Sequence, residues 1–166
     1  QAFCFCTELM SIEVDKDNQS YTSVDGVLYD KNKTTLICCP GGKTSVEIPN
    51  DVTNIGYAAF AGCTGLTTIT IPNGVTLIDY ATFFGCTGLT SIEIPNSVTK
   101  IGMWAFYGCS GLTSIVIPNS VTSLNYLAFV GCIGLTSVTI GKGVDISDIE
   151  YLLRDCTGLM SINVVD

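Results

Sequence analysis

Histidine is absent from the 166 residues of this chain. Its absence removes the commonest general base and the commonest nitrogen ligand for zinc together. No Lys stands beside a Ser in a pattern that connects to chemistry, so a nucleophilic hydrolase lacks its activating partner. Cations are scarce too: seven Lys and Arg against fifteen Asp and Glu leave a net charge of −8. No basic cluster offsets that sign, and nucleic-acid phosphates would be repelled. Long apolar runs are missing as well, because Pro, Asn, Gly or a charge interrupts each one before the ~18 residues of a spanning helix. What remains is 47% hydrophobic and 13% charged, a composition that excludes a disordered chain and calls for a core.

That core is announced by repetition. Gly62-Cys63-Thr64-Gly65-Leu66 returns as Gly85-Cys86-Thr87-Gly88-Leu89, Gly108-Cys109-Ser110-Gly111-Leu112 and Gly131-Cys132-Ile133-Gly134-Leu135, each 23 residues after the last. A fifth copy, Asp155-Cys156-Thr157-Gly158-Leu159, follows after 24. A fixed period of this length marks a solenoid, in which each unit is one coil and stacking creates the interior. The expected fold is a β-rich, right-handed coil stack with a parallel sheet on one face. Short strands and helical turns are expected on the other face. Repeat stacks of this kind make binding surfaces, and a repeated surface rarely houses a catalytic site.

One coil shows the logic. From Thr90 to Ile94 polar and apolar residues alternate, which predicts a strand with Leu89, Ile92 and Ile94 inward and Ser91 and Glu93 outward. Pro95-Asn96 stops it, since Pro donates nothing to a ladder and Asn accepts turn geometry. Val98 and Ile101 face inward along a second short extended piece. Ala105-Phe106 is expected on a single helical turn, because too few residues remain before Gly108 for a stable helix. Three inward columns follow across coils: Ile69, Ile92, Ile115, Val138; Ile71, Ile94, Ile117, Ile140; and Phe60, Phe83, Phe106, Phe129.

Residues 1–62 break the period, and residues 63–166 hold the regular coils, so one domain with an enlarged first coil is expected. Within the irregular part, Tyr21 to Tyr29 and Thr34 to Ile37 flank the polar Asp30-Lys31-Asn32-Lys33 and read as a hairpin. Gln1 to Cys6 repeats the register of Tyr57 to Cys63, and the stretch from Cys156 echoes that from Cys6. Neither end carries a polar cap. The expectation is a piece of a longer array, with apolar ends open to end-to-end self-association.

Nine cysteines invite disulfides, but six of them (Cys6, Cys63, Cys86, Cys109, Cys132 and Cys156) share one repeat position beside turn glycines. They are expected as a column of buried thiols behaving as small hydrophobes. Cys4, Cys38 and Cys39 lie off the column and are expected to be exposed. Without His or Cys-x-x-Cys no metal site is indicated, and no cofactor. Glu47 and Glu93 stand two coils apart, ~9–10 Å by strand spacing. That separation suits an inverting glycosidase. Nothing near either residue marks it for acid–base work, so a solvated face and no enzyme is the reading.

Two surfaces are candidates for binding. The first is the outward face of the sheet: Thr68, Ser91, Ser114 and Ser137 in one column, Thr70, Glu93, Val116 and Thr139 in the other. Ser91, Glu93, Ser114 and Val116 stand at its centre. The second is an aromatic flank, where Tyr57, Tyr80 and Tyr126 share a position with Met103, and Trp104 follows one residue on. Such rings could stack on sugars or anchor a protein partner, or they could cover the edge of the core. Regular Thr columns (Thr53, Thr76, Thr99, Thr122 and Thr67, Thr90, Thr113, Thr136) also occur in ice-binding solenoids. Lys100, Glu93 and the concavity expected of the stack argue against that use.

The cassette resembles the BspA-like leucine-rich-repeat family, whose unit reads roughly Cys-x-x-Leu-x-x-Ile-x-Ile-Pro-x-x-Val-x-x-Ile-x-x-x-Ala-Phe. Coils from Cys63 to Cys132 match it closely, and Asp25-Gly26-Val27-Leu28-Tyr29 with Leu36-Ile37 resembles a variant of the family's enlarged coil. The last coil departs from it: Gly141-Lys142-Gly143 replaces Pro-Asn-Ser and the Ala-Phe pair is gone. The resemblance implies an extracellular or cell-surface protein, adhering to a host or cell-surface protein or glycan. It supplies no shared ligand motif. The alternative expectation is a passive spacer or assembly element that displays another domain.

Overall fold

Alternation of polar and apolar residues sets the strands, and a computed structural model describes residues 3–147 and 149–165. The enlarged first coil holds β1 (Tyr21–Val24), β2 (Val27–Asp30) and β3 (Thr35–Cys38). β1 pairs with β2 and β2 with β3, both antiparallel. The predicted hairpin about residues 30–33 is present, but the run from Tyr21 to Tyr29 is itself folded in two. Asp25 and Gly26, at φ of 48° and 75°, make the two-residue turn that sends the chain back. Asp30 fixes the second turn by accepting bonds from the Thr35 amide (2.7 Å) and the Thr34 hydroxyl (2.9 Å). Those donors, led by the Thr35 amide, hold its carboxyl below the usual range.

Beyond β3 the strands are of two kinds, one short and one longer, and the three coils from Cys63 to Gly131 carry both. The short ones are β4 (Asn54–Ile55), β6 (Leu77–Ile78), β8 (Lys100–Ile101) and β10 (Ser123–Leu124). The longer ones are β5 (Thr68–Thr70), β7 (Ser91–Glu93), β9 (Ser114–Ile117), β11 (Ser137–Ile140) and β12 (Ser161–Val164). Pairing between coils is parallel and puts like over like: Ser114, Ser137 and Ser161 in one register, Ile78, Ile101 and Leu124 in another. The sheet starts at β5, since residues 45–47 adopt no strand.

The interior is a set of columns. Phe60, Phe83, Phe106 and Phe129 are wholly buried, and successive rings stack with centroids 5.2, 5.3 and 5.0 Å apart. Leu89, Val98 and Ile101 face inward as the alternation requires.

The segment around Ala-Phe is not the expected helical turn. It is a run of β-turns whose amides point alternately within the coil and across to the next. Ala59, Ala61 and Cys63 donate to carbonyls three residues back. Ala58, Phe60 and Gly62 donate to Tyr80, Thr82 and Phe84 of the following coil at 2.8–3.0 Å. Alternation needs a left-handed residue, and Ala58, Ala81 and Trp104 supply it with φ of 52°, 54° and 59°. Bonding to both neighbours satisfies every other amide outside the coil, which a helix would have closed on itself. α1 (Ile149–Leu152), in the irregular last coil, is the helix among the described residues.

The thiol column needs correcting at its ends. Cys63, Cys86, Cys109, Cys132 and Cys156 are buried as expected, but Cys6 is exposed at the outer end of the stack. Cys38 and Cys39 are buried rather than exposed. β3 alternates, so Cys38 shares the inward face of Leu36. Gln1 and Ala2, where the repeated N-terminal register begins, lie outside the described residues.

Candidate functional site

The outward sheet face is built as the alternation demands. Thr68, Thr70, Ser91, Glu93, Ser114 and Val116 are exposed, while Ser137 and Thr139 are half-buried. Val116 stands out as an apolar side chain 59% exposed on an otherwise polar face.

The sheet is interrupted at its centre. β5 pairs with β7, and β11 pairs with β9 on one side and β12 on the other, but no ladder joins β7 to β9 among the described residues. Just ahead of these strands the Thr113 amide reaches the Thr90 carbonyl at 3.3 Å, whereas the corresponding bonds on either side measure 2.9 Å. A cleft of about 770 Å³ opens at this junction. Ser91, Glu93, Ser114 and Val116 all line it, and the core residues Ile92 and Ile94 reach its floor. A smaller cleft of about 230 Å³ continues along the strand ends, sharing Asn73, Glu93 and Pro95 with the first and adding Thr70. Thr68, Ser137 and Thr139 line neither.

Sequence reasoning missed the rim. Asn73, Asn96 and Pro118 line the large cleft; of these the sequence reading named only Asn96, with Pro95, as a strand stop. The Pro-Asn pair that recurs every 23 residues, at Pro72-Asn73, Pro95-Asn96 and Pro118-Asn119, was the available signal. Chemically the cleft offers a single carboxylate, Glu93, among hydroxyls, carboxamides and proline rings. No cation lines it, and Glu93 has no salt-bridge partner among the described residues.

The aromatic flank is not a ladder. Tyr80 packs against Trp104 with centroids 5.4 Å apart, and Trp104 lies edge-on to Phe84 and Tyr107. Phe84 stacks on Tyr107 at 4.8 Å, and Phe5 meets Phe84 edge-on at 5.6 Å. Tyr57 stands apart, 61% exposed, and Tyr126 pairs instead with Tyr151. The rings gather where Ala58 and Ala81 leave room, so the cluster follows the small residues rather than the Tyr column.

The Thr columns have a backbone task. Hydroxyls of Thr90, Thr113 and Thr136 donate to the Thr carbonyl one coil earlier, at 3.2, 3.4 and 2.9 Å. Thr99 and Thr122 repeat the bond on the second strand. These hydroxyls are occupied in stacking. Among the described residues no cluster of His, Cys, Asp or Glu could hold a metal ion, and no helix is long and apolar enough to cross a membrane.

The same architecture occurs in solved bacterial proteins. A leucine-rich cell surface protein from Faecalibacterium prausnitzii A2-165 is 32% identical, with a TM-score of 0.88 over 99% of this chain and 44% of its own. A leucine-rich repeat protein from Eubacterium ventriosum is 31% identical, with a TM-score of 0.86 over 98% of this chain and 44% of its own. The pneumococcal vaccine antigen PcpA is 30% identical, with a TM-score of 0.76 over 81% of this chain and 34% of its own. The chain thus spans less than half the length of these relatives. No curated protein matches it. Residues 37–160 match the BspA-type leucine-rich repeat region in six copies. With that match added to the stacked coils and parallel sheet, the chain belongs to the BspA-type leucine-rich-repeat family.

Proposed function

We propose that this chain is a non-enzymatic recognition module, extracellular or on the cell surface, that binds a host or cell-surface partner through the sheet face. The family generally serves protein interaction, and the relative from Faecalibacterium prausnitzii is described as a cell surface protein. The observation that carries the reading is the central cleft, which brings Ser91, Glu93, Ser114 and Val116 to one concave place. A largely preformed cleft on a rigid scaffold is where binding is expected. Arrays of extracellular proteins and of glycans, probed with the chain and with Ser114→Trp, test it. Binding that the substitution abolishes supports the reading. Silence across both arrays, or binding indifferent to the substitution, rejects it.

One observation favours a second reading, a spacer built by stacking. Every residue of β12 is exposed, with Ile162 and Val164 among them, so its outer edge offers ladder groups and apolar side chains to a further coil or a second copy. Sedimentation that stays monomeric up to ~1 mM would remove self-association from consideration.

A further inference from the structure

We infer that the cleft at the β7–β9 junction receives the cationic end of an Arg or Lys side chain presented by a protein partner. The inference rests on the sheet-face reading above and adds the chemical class of what is bound.

The cleft is an acceptor-rich site with one charge. Glu93 is its only ionised side chain, and it belongs to both the large cleft and the smaller one beside it. Asn73 and Asn96 bring amide oxygens, and Ser91 and Ser114 bring hydroxyl oxygens. No ladder joins the two strands beside these oxygens among the described residues. An ammonium or guanidinium has only donors to satisfy, and a guanidinium can engage a carboxylate through two parallel bonds.

The apolar part of the lining fits the stem of the same side chain. Val116, Pro95 and Pro118 flank the carboxylate, and Ile92 and Ile94 lie beneath. Arg and Lys bury their methylenes along such surfaces while the head seeks a charge. Charge complementarity extends beyond the cleft. With fifteen acidic against seven basic residues, the whole chain attracts a cationic segment and repels an anionic one.

The test is an amide-resolved NMR titration of the full chain with N-acetyl-arginine amide, against N-acetyl-citrulline amide as its neutral counterpart. Expected are shifts confined to amides of residues 91–97 and 113–117. Affinity should fall at least tenfold for the citrulline probe, and at least tenfold for the arginine probe with Glu93→Gln. The Glu93→Gln spectrum itself should otherwise match the parent, since the side chain is exposed and unpartnered. Equal shifts with both probes, indifference to Glu93→Gln, shifts centred instead on Asp15 and Asp17, two exposed carboxylates ahead of β1, or no shifts at all would each overturn the inference. Maltotriose moving the same amides where the arginine probe does not would assign the cleft to glycans instead. Array binding lost in Ser114→Trp but kept in Glu93→Gln would leave the sheet-face reading standing and sink the cation site alone.

Discussion

Cys109 donates its thiol hydrogen to the carbonyl oxygen of Phe83, 3.1 Å away in the preceding coil. The bond recurs from Cys86 to Phe60, Cys132 to Phe106 and Cys156 to Phe129, at 3.0–3.2 Å. Each carbonyl is shared: Phe83 O also accepts the Cys86 amide at 3.1 Å. Losing the thiol therefore leaves no orphaned acceptor. Cys109→Ala should cost about 1–2 kcal/mol, the loss of one weak bond and a small buried group. Urea denaturation measures it. A cost above about 4 kcal/mol would mean that the column governs stacking itself.

The same burial sets a pH limit on the fold. Burial raises the Cys109 thiol to about 12 and the Cys38 thiol to about 11, from 9.0 for a free thiol. It likewise lifts the Tyr29 phenol to about 12 from 10.0. All three keep their protons in the folded chain at pH values where the unfolded chain would release them. Their contribution to stability is thus complete below about pH 9 and is lost as pH rises from there toward 12. Thermal melts should be flat from about pH 7 to 8.5 and fall steeply above about pH 9. At about pH 8 a thiol reagent should modify exposed Cys6 ahead of the wholly buried Cys63, Cys86, Cys109 and Cys132. Uniform labelling of all the cysteines, or melting unchanged to about pH 11, would contradict the buried column.

Two glycines of one cassette answer to different causes, and substitution separates them. Gly108 has a φ of 67° with open space where a Cβ would sit. Ala there meets only left-handed backbone strain, about 1–2 kcal/mol. Gly111 has no such φ, but its Cβ would lie 2.5 Å from the Thr87 carbonyl oxygen of the neighbouring coil. The obstacle is backbone, so two coils must part. Gly111→Ala should therefore cost more than Gly108→Ala, by about 2 kcal/mol or above. Equal losses in chemical denaturation would mean that the coils tolerate separation.

The strand columns were legible because periodicity reports burial directly: Ile92 and Ile115 are inward for the same reason they recur. Geometry set by contacts between coils was not. Trp104 stands where Ala58 and Ala81 stand in the earlier coils, and the left-handed backbone common to all three turns amides toward carbonyls of the next coil. Cys38 was misplaced because column membership was taken as the mark of burial, while β3 buries it by alternation. The break between β7 and β9 has no signature in the cassette. Pro95-Asn96 and Pro118-Asn119 look alike in sequence, and only coordinates show a cleft opening beside them.

The aromatic flank separates packing from recognition. Tyr80 lies against Trp104 within a cluster that also holds Phe84, so Tyr80→Ser removes ring contacts worth about 1–2 kcal/mol. Tyr126 is about half exposed, and its ring pairs with Tyr151 at 6.4 Å. Tyr126→Ser should change stability by no more than about 0.5 kcal/mol. If the sheet face is the binding face, neither substitution alters capture of a partner that Ser114→Trp abolishes. Trp104 is the chain's single Trp, so its emission reports the cluster without labelling. It should shift in Tyr80→Ser and stay constant in Tyr126→Ser. Partner binding lost in Tyr126→Ser with stability intact would move the site from the sheet to the rings.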